Sequence, residues 1–294
     1  MELYVLMFIA GIISGILTLL FGFGGGFVIV PLVYASIRYA MPPDSLAYDL
    51  AFKSAVATSL LLMVVNASLA TYKQLQQANV LSQYIFPLAY WIALGAVSGT
   101  LLALYIDANL LKWFFAIYLL ITIAECLYRN RQEQKRRQQN RRECNSVADD
   151  RQQTTQVPYT TAARALTGVE KTICGWLIGN IAAALGVGGS VMTVPLFRRC
   201  HLSMQHAVAL ANPLSIPVAV AGCVSYIVAY VWQPQALGSY FIGYFYLPAV
   251  FCLIVAGLIG IRIASPLLGR LSNRWHEWGY IVLLSSVLLL VIAV

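Results

Sequence analysis

Long stretches without a charged residue alternate with short polar segments along the chain. A helix needs about 20 mostly apolar residues to cross the hydrocarbon of a bilayer. Each stretch is long enough for at least most of one such helix, and the fifth can hold two. The pattern therefore predicts an all-α integral membrane protein, and its stretches are residues 3–37, 54–72, 80–106, 172–197, 207–261 and 278–294.

The composition supports this prediction. Of the 294 residues, 60% are hydrophobic and 10% are charged, which leaves too few polar side chains to cover a water-soluble globule. The net charge is +8, but nine of the 19 Lys and Arg residues lie within residues 129–164. Because basic loops of membrane proteins stay in the cytoplasm, this excess indicates topology rather than binding to nucleic acid.

The basic segment also divides the chain. It is rich in Gln and poor in large apolar residues, so it cannot bury enough surface to fold alone, and we expect a mobile linker. The predicted organisation is a first membrane repeat at residues 1–128, a basic, Gln-rich cytoplasmic linker at residues 129–168, and a second membrane repeat at residues 169–294. We expect the linker to contact anionic lipid headgroups.

The two halves resemble each other. Residues 22–32 read GFGGGFVIVPL and residues 186–196 read GVGGSVMTVPL. Two further pairs follow in the same order, SLATY with GCVSY and GTLLA with GIRIA. Each half then reads as a glycine-interrupted segment followed by three helices. The predicted helices are residues 51–72, 80–106, 110–128, 205–231, 240–265 and 276–294.

The glycine-interrupted segments allow two topologies. Each is either one bent span, or it dips into the membrane and returns on the same side. The second topology gives three full spans in each half, and an odd number makes the two repeats inverted, a common design of secondary transporters. The number of crossings lies between six and eight.

The glycine runs are the first candidate site. Glycines weaken a helix and permit positive φ, so we expect the helix to break there. A half-helix that starts after the break presents free N–H groups and the positive end of its dipole, and two such ends would cradle an anion. The alternative is that the glycines only allow close packing of helices. The candidate substrate-binding residues here are Gly24, Gly25, Gly26 and Phe27 in the first half and Gly188, Gly189, Ser190 and Val191 in the second.

A second candidate set lies early in the next helix of each half. Thr58 and Ser59 in AVATSL align with Asn212 and Pro213 in ALANPL. Their hydroxyl and amide groups, and the carbonyl that the proline frees, could complete a neutral ring of hydrogen-bonding groups. The alternative is that the hydroxyls bond to their own helix backbone.

Three ionisable residues are candidates for a charge or proton-transfer role, namely Lys53, Arg262 and His206. For the two cations the alternative is a long side chain that reaches the membrane interface, and for the histidine it is solvation in a loop. The sequence contains no GxSxG, HExxH or nucleotide-binding loop, and its six cysteines lack CxxC spacing. We therefore expect no enzymatic activity, no metal and no cofactor.

The chain resembles the TauE/SafE family of sulfite and organosulfonate exporters. The resemblance rests on the two glycine motifs, on AVATSL, on AVALANPLSIPVAVAG at residues 207–222 and on GIRIA. It implies a bacterial plasma-membrane protein of seven or eight spans whose substrate is a small sulfur-containing anion. Two features depart from the family pattern: Asn212 and Pro213 replace a Thr-Ser pair, and the linker is longer and more basic.

From these patterns we expect a multi-pass secondary transporter of the plasma (inner) membrane. It would export or exchange sulfite or an organosulfonate by alternating access, with one half rocking against the other. A passive anion channel would use the same helix ends. A membrane sensor or scaffold that acts through the basic linker is the alternative from another class.

Overall fold

A computed structural model describes residues 2–22, 24–77, 82–147, 167–200 and 204–267, together with residues 279, 281–282, 284–286 and 288–289. Almost all of its regular structure is helical. The elements in chain order are α1 (Glu2–Phe21), α2 (Gly26–Ala40), α3 (Leu46–Asp49), α4 (Ala51–Gln77), α5 (Ser82–Tyr105), α6 (Ala108–Val147), α7 (Gly168–Leu185), α8 (Ser190–Arg199), α9 (Met204–Trp232), β1 (Phe241–Ile242), β2 (Phe245–Tyr246), α10 (Leu247–Ala264) and a 3₁₀ turn (Ser265–Leu267).

Six of the described helices are long and apolar enough to cross a membrane. Many of their large apolar side chains point away from the protein, as helices solvated by lipid require. The prediction of an all-α integral membrane protein is therefore confirmed. The six apolar segments are Tyr4–Phe21, Ala51–Gln76, Ile85–Tyr105, Ala108–Glu125, His206–Trp232 and Leu247–Leu267.

The first glycine-interrupted segment forms a helical hairpin. Gln74, near the end of α4, donates a hydrogen bond of 3.2 Å to the Leu19 carbonyl, near the end of α1. The ring of Tyr34, in the second half of α2, lies 5.7 Å from the ring of Phe52 at the start of α4. The ends of α1 and α2 thus lie toward opposite ends of α4. The chain reverses between α1 and α2 and returns, instead of continuing as one bent span.

The second hairpin begins at the other end of the bundle. The Lys53 ammonium, at the start of α4, donates to the Leu104 carbonyl at the end of α5 over 2.7 Å, so α4 and α5 are antiparallel. Helix α7 runs parallel to α5, because Gly175 faces Leu88 of α5 whereas Asn180, further along α7, faces Gly99. Helices α1 and α7 consequently run in opposite directions.

Small residues let two helix pairs pack backbone against backbone. A Cβ atom on Gly15 of α1 would lie 2.2 Å from the Gly257 carbonyl oxygen of α10. A Cβ atom on Gly179 of α7 would lie 2.0 Å from the Ile92 carbonyl oxygen of α5. Each hairpin is therefore held against one apolar helix of the other half, α1 against α10 and α7 against α5, by contacts that only glycine permits.

Two predicted helix boundaries differ from the structure by more than five residues. The helix predicted at residues 240–265 starts only at Leu247, because Gly238 and Gly243 take positive φ values around a short hairpin and Pro248 lies in the first turn of α10. Helix α6 continues past Tyr128 to Val147, since the Arg, Gln, Glu and Lys residues there are good helix formers even without a core. The helix predicted at residues 276–294 lies largely outside the described residues.

Candidate functional site

The first break is built by glycines in the left-handed region of φ. Gly22, Gly24 and Gly25 have φ values of +78°, +65° and +88°. Residues with a side chain rarely adopt such values. The Ser14 hydroxyl in α1 donates to the Gly25 carbonyl over 2.9 Å and holds the turn against its own hairpin. Helix α2 then begins at Gly26 without a side-chain cap. The positive end of the α2 dipole therefore lies at the first break.

The second break also follows a glycine with positive φ, but among the described residues it has one such glycine where the first break has three. Gly186 has a φ of +66° and ends α7, and the Val187 N–H returns to the Ala182 carbonyl over 2.9 Å. This arrangement satisfies the last carbonyls of α7, as glycine-ended helices usually do. Helix α8 begins at Ser190 after Gly189, again without a side-chain cap. The Val191 and Met192 N–H groups donate to the Gly188 and Gly189 carbonyls, so the start of α8 presents the positive end of its dipole rather than a row of free N–H groups.

The two breaks touch each other inside the bundle. A Cβ atom on Gly26 would lie 2.3 Å from the Gly186 carbonyl oxygen, so the first residue of α2 lies directly against the end of α7. The single proton of the Ser59 hydroxyl is shared between the same Gly186 carbonyl at 3.0 Å and the Val56 carbonyl of its own helix at 2.7 Å. The structure thus brings the glycine candidates together with Ser59 of the second candidate set, although they lie far apart in sequence.

Asn212 lies at the end of α1 rather than at the start of α2. Its Nδ2 donates to the Thr18 carbonyl and to Gln74 Oε1, both over 3.1 Å. Gln74 in turn donates to the Leu19 carbonyl. Because the last four carbonyls of a helix lack partners within the helix, these two side chains complete the hydrogen bonding of α1. Asn212 Oδ1 has no partner in the described part of the chain.

Thr58 joins α4 to the β-hairpin before α10. Its Oγ1 accepts a hydrogen bond of 3.0 Å from the Tyr246 N–H. The aromatic residues of this hairpin are buried against the bundle, and this burial raises the pKa of the Tyr246 phenol. The hairpin therefore covers the region in which α4 begins.

Seven of the described residues have a buried side-chain polar atom without a hydrogen-bond partner, and three of them, Asn66, Ser190 and Thr193, lie where the two returning helices start. The other four are Ser54, Thr71, Asn212 and Tyr226. Asn66 is 0% exposed and neither its Nδ2 nor its Oδ1 is paired. A Cβ atom on Gly25 would lie 2.9 Å from Asn66 Nδ2, so the amide faces the first break. Ser190 and Thr193, in the first turn of α8, have unpaired hydroxyls and are 1% and 0% exposed.

The sequence did not single out Asn66 or Thr193. Each lies in an apolar helix, where a polar side chain most often bonds to its own backbone. The available signal is the position of an amide near the middle of the apolar segment Ala51–Gln76. A polar group at that depth is costly unless it is paired or used, which makes it a candidate functional residue.

The ionisable candidates do not converge on the breaks. Lys53 is 8% exposed, and its ammonium is used on the Leu104 carbonyl. Arg262 is exposed on α10 and His206 is exposed at the start of α9. Of the remaining candidates, Pro213 is half-buried within α9 and Val191 is buried in α8, while the side chain of Phe27 lies outside the described structure.

Comparison with known proteins identifies a family. The family model described as Sulfite exporter TauE/SafE matches residues 7–291. A probable membrane transporter protein of Methanocaldococcus jannaschii is 23% identical over 288 residues, covering 96% of this chain and 91% of the relative. A probable membrane transporter protein of Haemophilus influenzae is 22% identical, covering 95% and 94%.

A third relative covers less of the chain. The probable membrane transporter protein YunE of Bacillus subtilis is 24% identical over 196 residues, which are 65% of this chain and 66% of the relative. No solved structure matches the chain.

Proposed function

Since this chain belongs to the sulfite exporter TauE/SafE family of membrane transporters, we propose that it exports or exchanges a small anion, sulfite or an organosulfonate, as a secondary transporter. The relatives are named as probable membrane transporters, and their names specify no substrate. The substrate class in this proposal comes from the description of the family and from the chemistry of the two breaks.

The observation that carries the proposal is the meeting of the two breaks. The uncapped starts of α2 and α8 both lie in the interior of the bundle, and Gly26 contacts the end of α7. Unwound backbone at membrane depth is tolerated where it lines a cavity or faces a ligand. Half-helix starts in transporters bind anionic groups of substrates for this reason.

The direction of the hairpins supports alternating access. Helices α1 and α7 run in opposite directions, α1 packs on α10, and α7 packs on α5. If the two halves are exchanged, the pair α1 and α10 becomes the pair α7 and α5. This exchange is what inverted repeats produce, and we infer that rocking of the hairpins opens the breaks to one side and then to the other.

The distribution of basic residues supports a cytoplasmic linker. Arg199, which pairs with Glu125 of α6, lies toward the linker end of the bundle, next to the nine basic residues of the linker. Lys53, Arg38 and Lys112 lie at the opposite end. Positive residues concentrate on the cytoplasmic side. In a cysteine-free variant within intact cells, an impermeant maleimide should label a cysteine placed at Gly238 and spare one placed at Gly168. The reverse labelling would contradict this orientation.

Counterflow in proteoliposomes tests the transport proposal. Vesicles are loaded with unlabelled sulfite, sulfoacetate or sulfate, and uptake of the labelled anion is followed without nucleotide. A carrier shows saturable uptake that the same anion on the opposite side accelerates. Anion conductance without this acceleration would indicate a passive channel instead.

The basic linker offers the test against a sensor or scaffold. Replacing residues 129–164 by an uncharged Gly-Ser segment of the same length should leave exchange in place, because these residues are remote from the breaks in sequence and the hairpins carry the proposed site. If folded, monodisperse protein exchanges no anion and this replacement abolishes its cellular role, the transport proposal is wrong and the linker carries the function.

A further inference from the structure

The unpaired polar groups at the breaks form two matched sets. Asn66 faces the residue that precedes α2, and Ser190 and Thr193 lie in the first turn of α8. Serine and threonine in a helix commonly return their hydroxyl to a carbonyl one turn earlier, as Ser36 and Ser215 do here. Buried polar groups without partners destabilise a protein, so their retention at both helix starts points to a ligand that pairs with them.

Asn66 is tightly packed, but its amide makes no hydrogen bond to any described residue. It lies between two backbones: a Cβ atom on Gly25 would lie 2.9 Å from its Nδ2, and one on Gly257 would lie 2.7 Å from its Oδ1. The hydroxyl oxygens of Ser14 and Thr18 flank the same glycine, but they already donate to the Gly25 and Ser14 carbonyls. The amide is therefore the group of this cluster whose hydrogen-bonding capacity is open.

The charge available at the breaks is small. The atoms nearest to the glycines of both breaks belong to uncharged residues. Each helix start contributes about half an elementary positive charge, and the carbonyl end of α7 that lies against Gly26 offsets part of it. The breaks therefore balance at most about one negative charge. A second charge on the ligand would remain uncompensated at membrane depth, where this costs about 100-fold or more in affinity.

From these observations we propose that the breaks select an oxyanion head with a single negative charge and that Asn66 recognises it. This inference rests on the proposed function and names the charge class of its substrate. Nδ2 of Asn66 donates to an oxygen of the anion next to the N–H groups of α2, and Oδ1 accepts from a hydroxyl of the ligand or from a water. A sulfonate or hydrogen sulfite fits this description, whereas sulfate and fully deprotonated sulfite do not.

Binding and exchange are tested with two anions of similar size and shape. Methanesulfonate carries one charge and sulfate carries two. At equal ionic strength, methanesulfonate should raise the thermal denaturation midpoint of the detergent-solubilised protein and compete in counterflow, with sulfate about 100-fold weaker. Methylphosphonate changes from one charge to two as the solution becomes mildly alkaline, and its competition should weaken over the same range.

Variants of Asn66 separate recognition from structure. Asn66→Leu removes both polar atoms and should abolish stabilisation by methanesulfonate without lowering the midpoint of the ligand-free protein. Asn66→Asp adds a negative charge in the same shape and should also abolish it. The control is Asn180→Leu in α7, which removes an amide that is paired with Ser98 Oγ over 3.0 Å. This control should lower the midpoint and keep the preference for one charge.

The outcomes distinguish this inference from the function on which it rests. Equal binding of sulfate and methanesulfonate, or an Asn66→Leu protein that keeps the wild-type preference, would overturn the inference even if exchange is observed. Selective binding of methanesulfonate without any exchange would uphold the charge selection and refute transport. A folded wild-type protein that neither binds nor exchanges either anion would overturn both.

Discussion

The contact between the two breaks makes Gly26→Ala a sharp perturbation. Gly26 is the first residue of α2 and has no positive φ, so alanine meets no backbone strain there. Its Cβ atom would, however, lie 2.3 Å from the Gly186 carbonyl oxygen, whereas ordinary contacts begin near 3.4 Å. The breaks must therefore separate by about 1 Å. Overpacking of this kind costs about 1–3 kcal/mol, which outweighs the gain of up to about 1 kcal/mol from replacing a helical glycine.

The expected loss of transport is larger than the loss of stability suggests. A displacement of about 1 Å at a site that must hold its ligand in a defined geometry can reduce activity about 100-fold. We expect Gly26→Ala to lower the thermal midpoint moderately and to reduce the rate of anion exchange by about this factor. Exchange is measured in proteoliposomes at matched protein content, and unfolding is followed in detergent.

Gly168→Ala is the matched control. Gly168 is the first residue of α7, as Gly26 is of α2, and a Cβ atom on it would meet no atom of the described residues within 4 Å. The control should keep wild-type exchange and equal or exceed wild-type stability. If Gly26→Ala behaves like Gly168→Ala in both assays, the breaks do not touch as described and the reasoning fails.

Three further changes test neighbouring features. Ser59→Ala removes the hydrogen bond to the Gly186 carbonyl and should lower the unfolding free energy by about 1 kcal/mol. The loss should exceed that of Ser36→Ala, whose hydroxyl bonds only within its own helix. Equal losses would argue against a role for the hydrogen bond between the halves. Arg199→Ala breaks an exposed ion pair with α6 and should change the thermal midpoint by less than a measurable amount, so a marked loss would contradict that estimate. Because burial raises the pKa of Tyr246, the folded state holds this proton longer than the unfolded state, and stability should fall as the pH rises above about 10; Tyr246→Phe should reduce this alkaline loss, and an unchanged pH profile of the thermal midpoint would refute the assignment.

The sequence by itself determined the class of protein and the places where its helices break. Both are local properties. An uncharged stretch of about 20 residues forms a helix in lipid whatever its neighbours are, because its backbone groups have no other partners there. The helices break at the two glycine motifs for an equally local reason, which is the loss of helix propensity together with the positive φ that Gly24, Gly25 and Gly186 adopt.

The tertiary structure decided which polar groups are used. Asn66 and Asn212 are alike as isolated residues in apolar helices, yet Asn212 completes the end of α1 and Asn66 faces a break with both polar atoms unpaired. The same holds for the direction of the returning helices, because a glycine turn can either continue a span or reverse it. Hydrogen bonds and close backbone contacts between residues far apart in sequence, such as Ser59 with Gly186, depend on how the helices pack, and no local pattern specifies that packing.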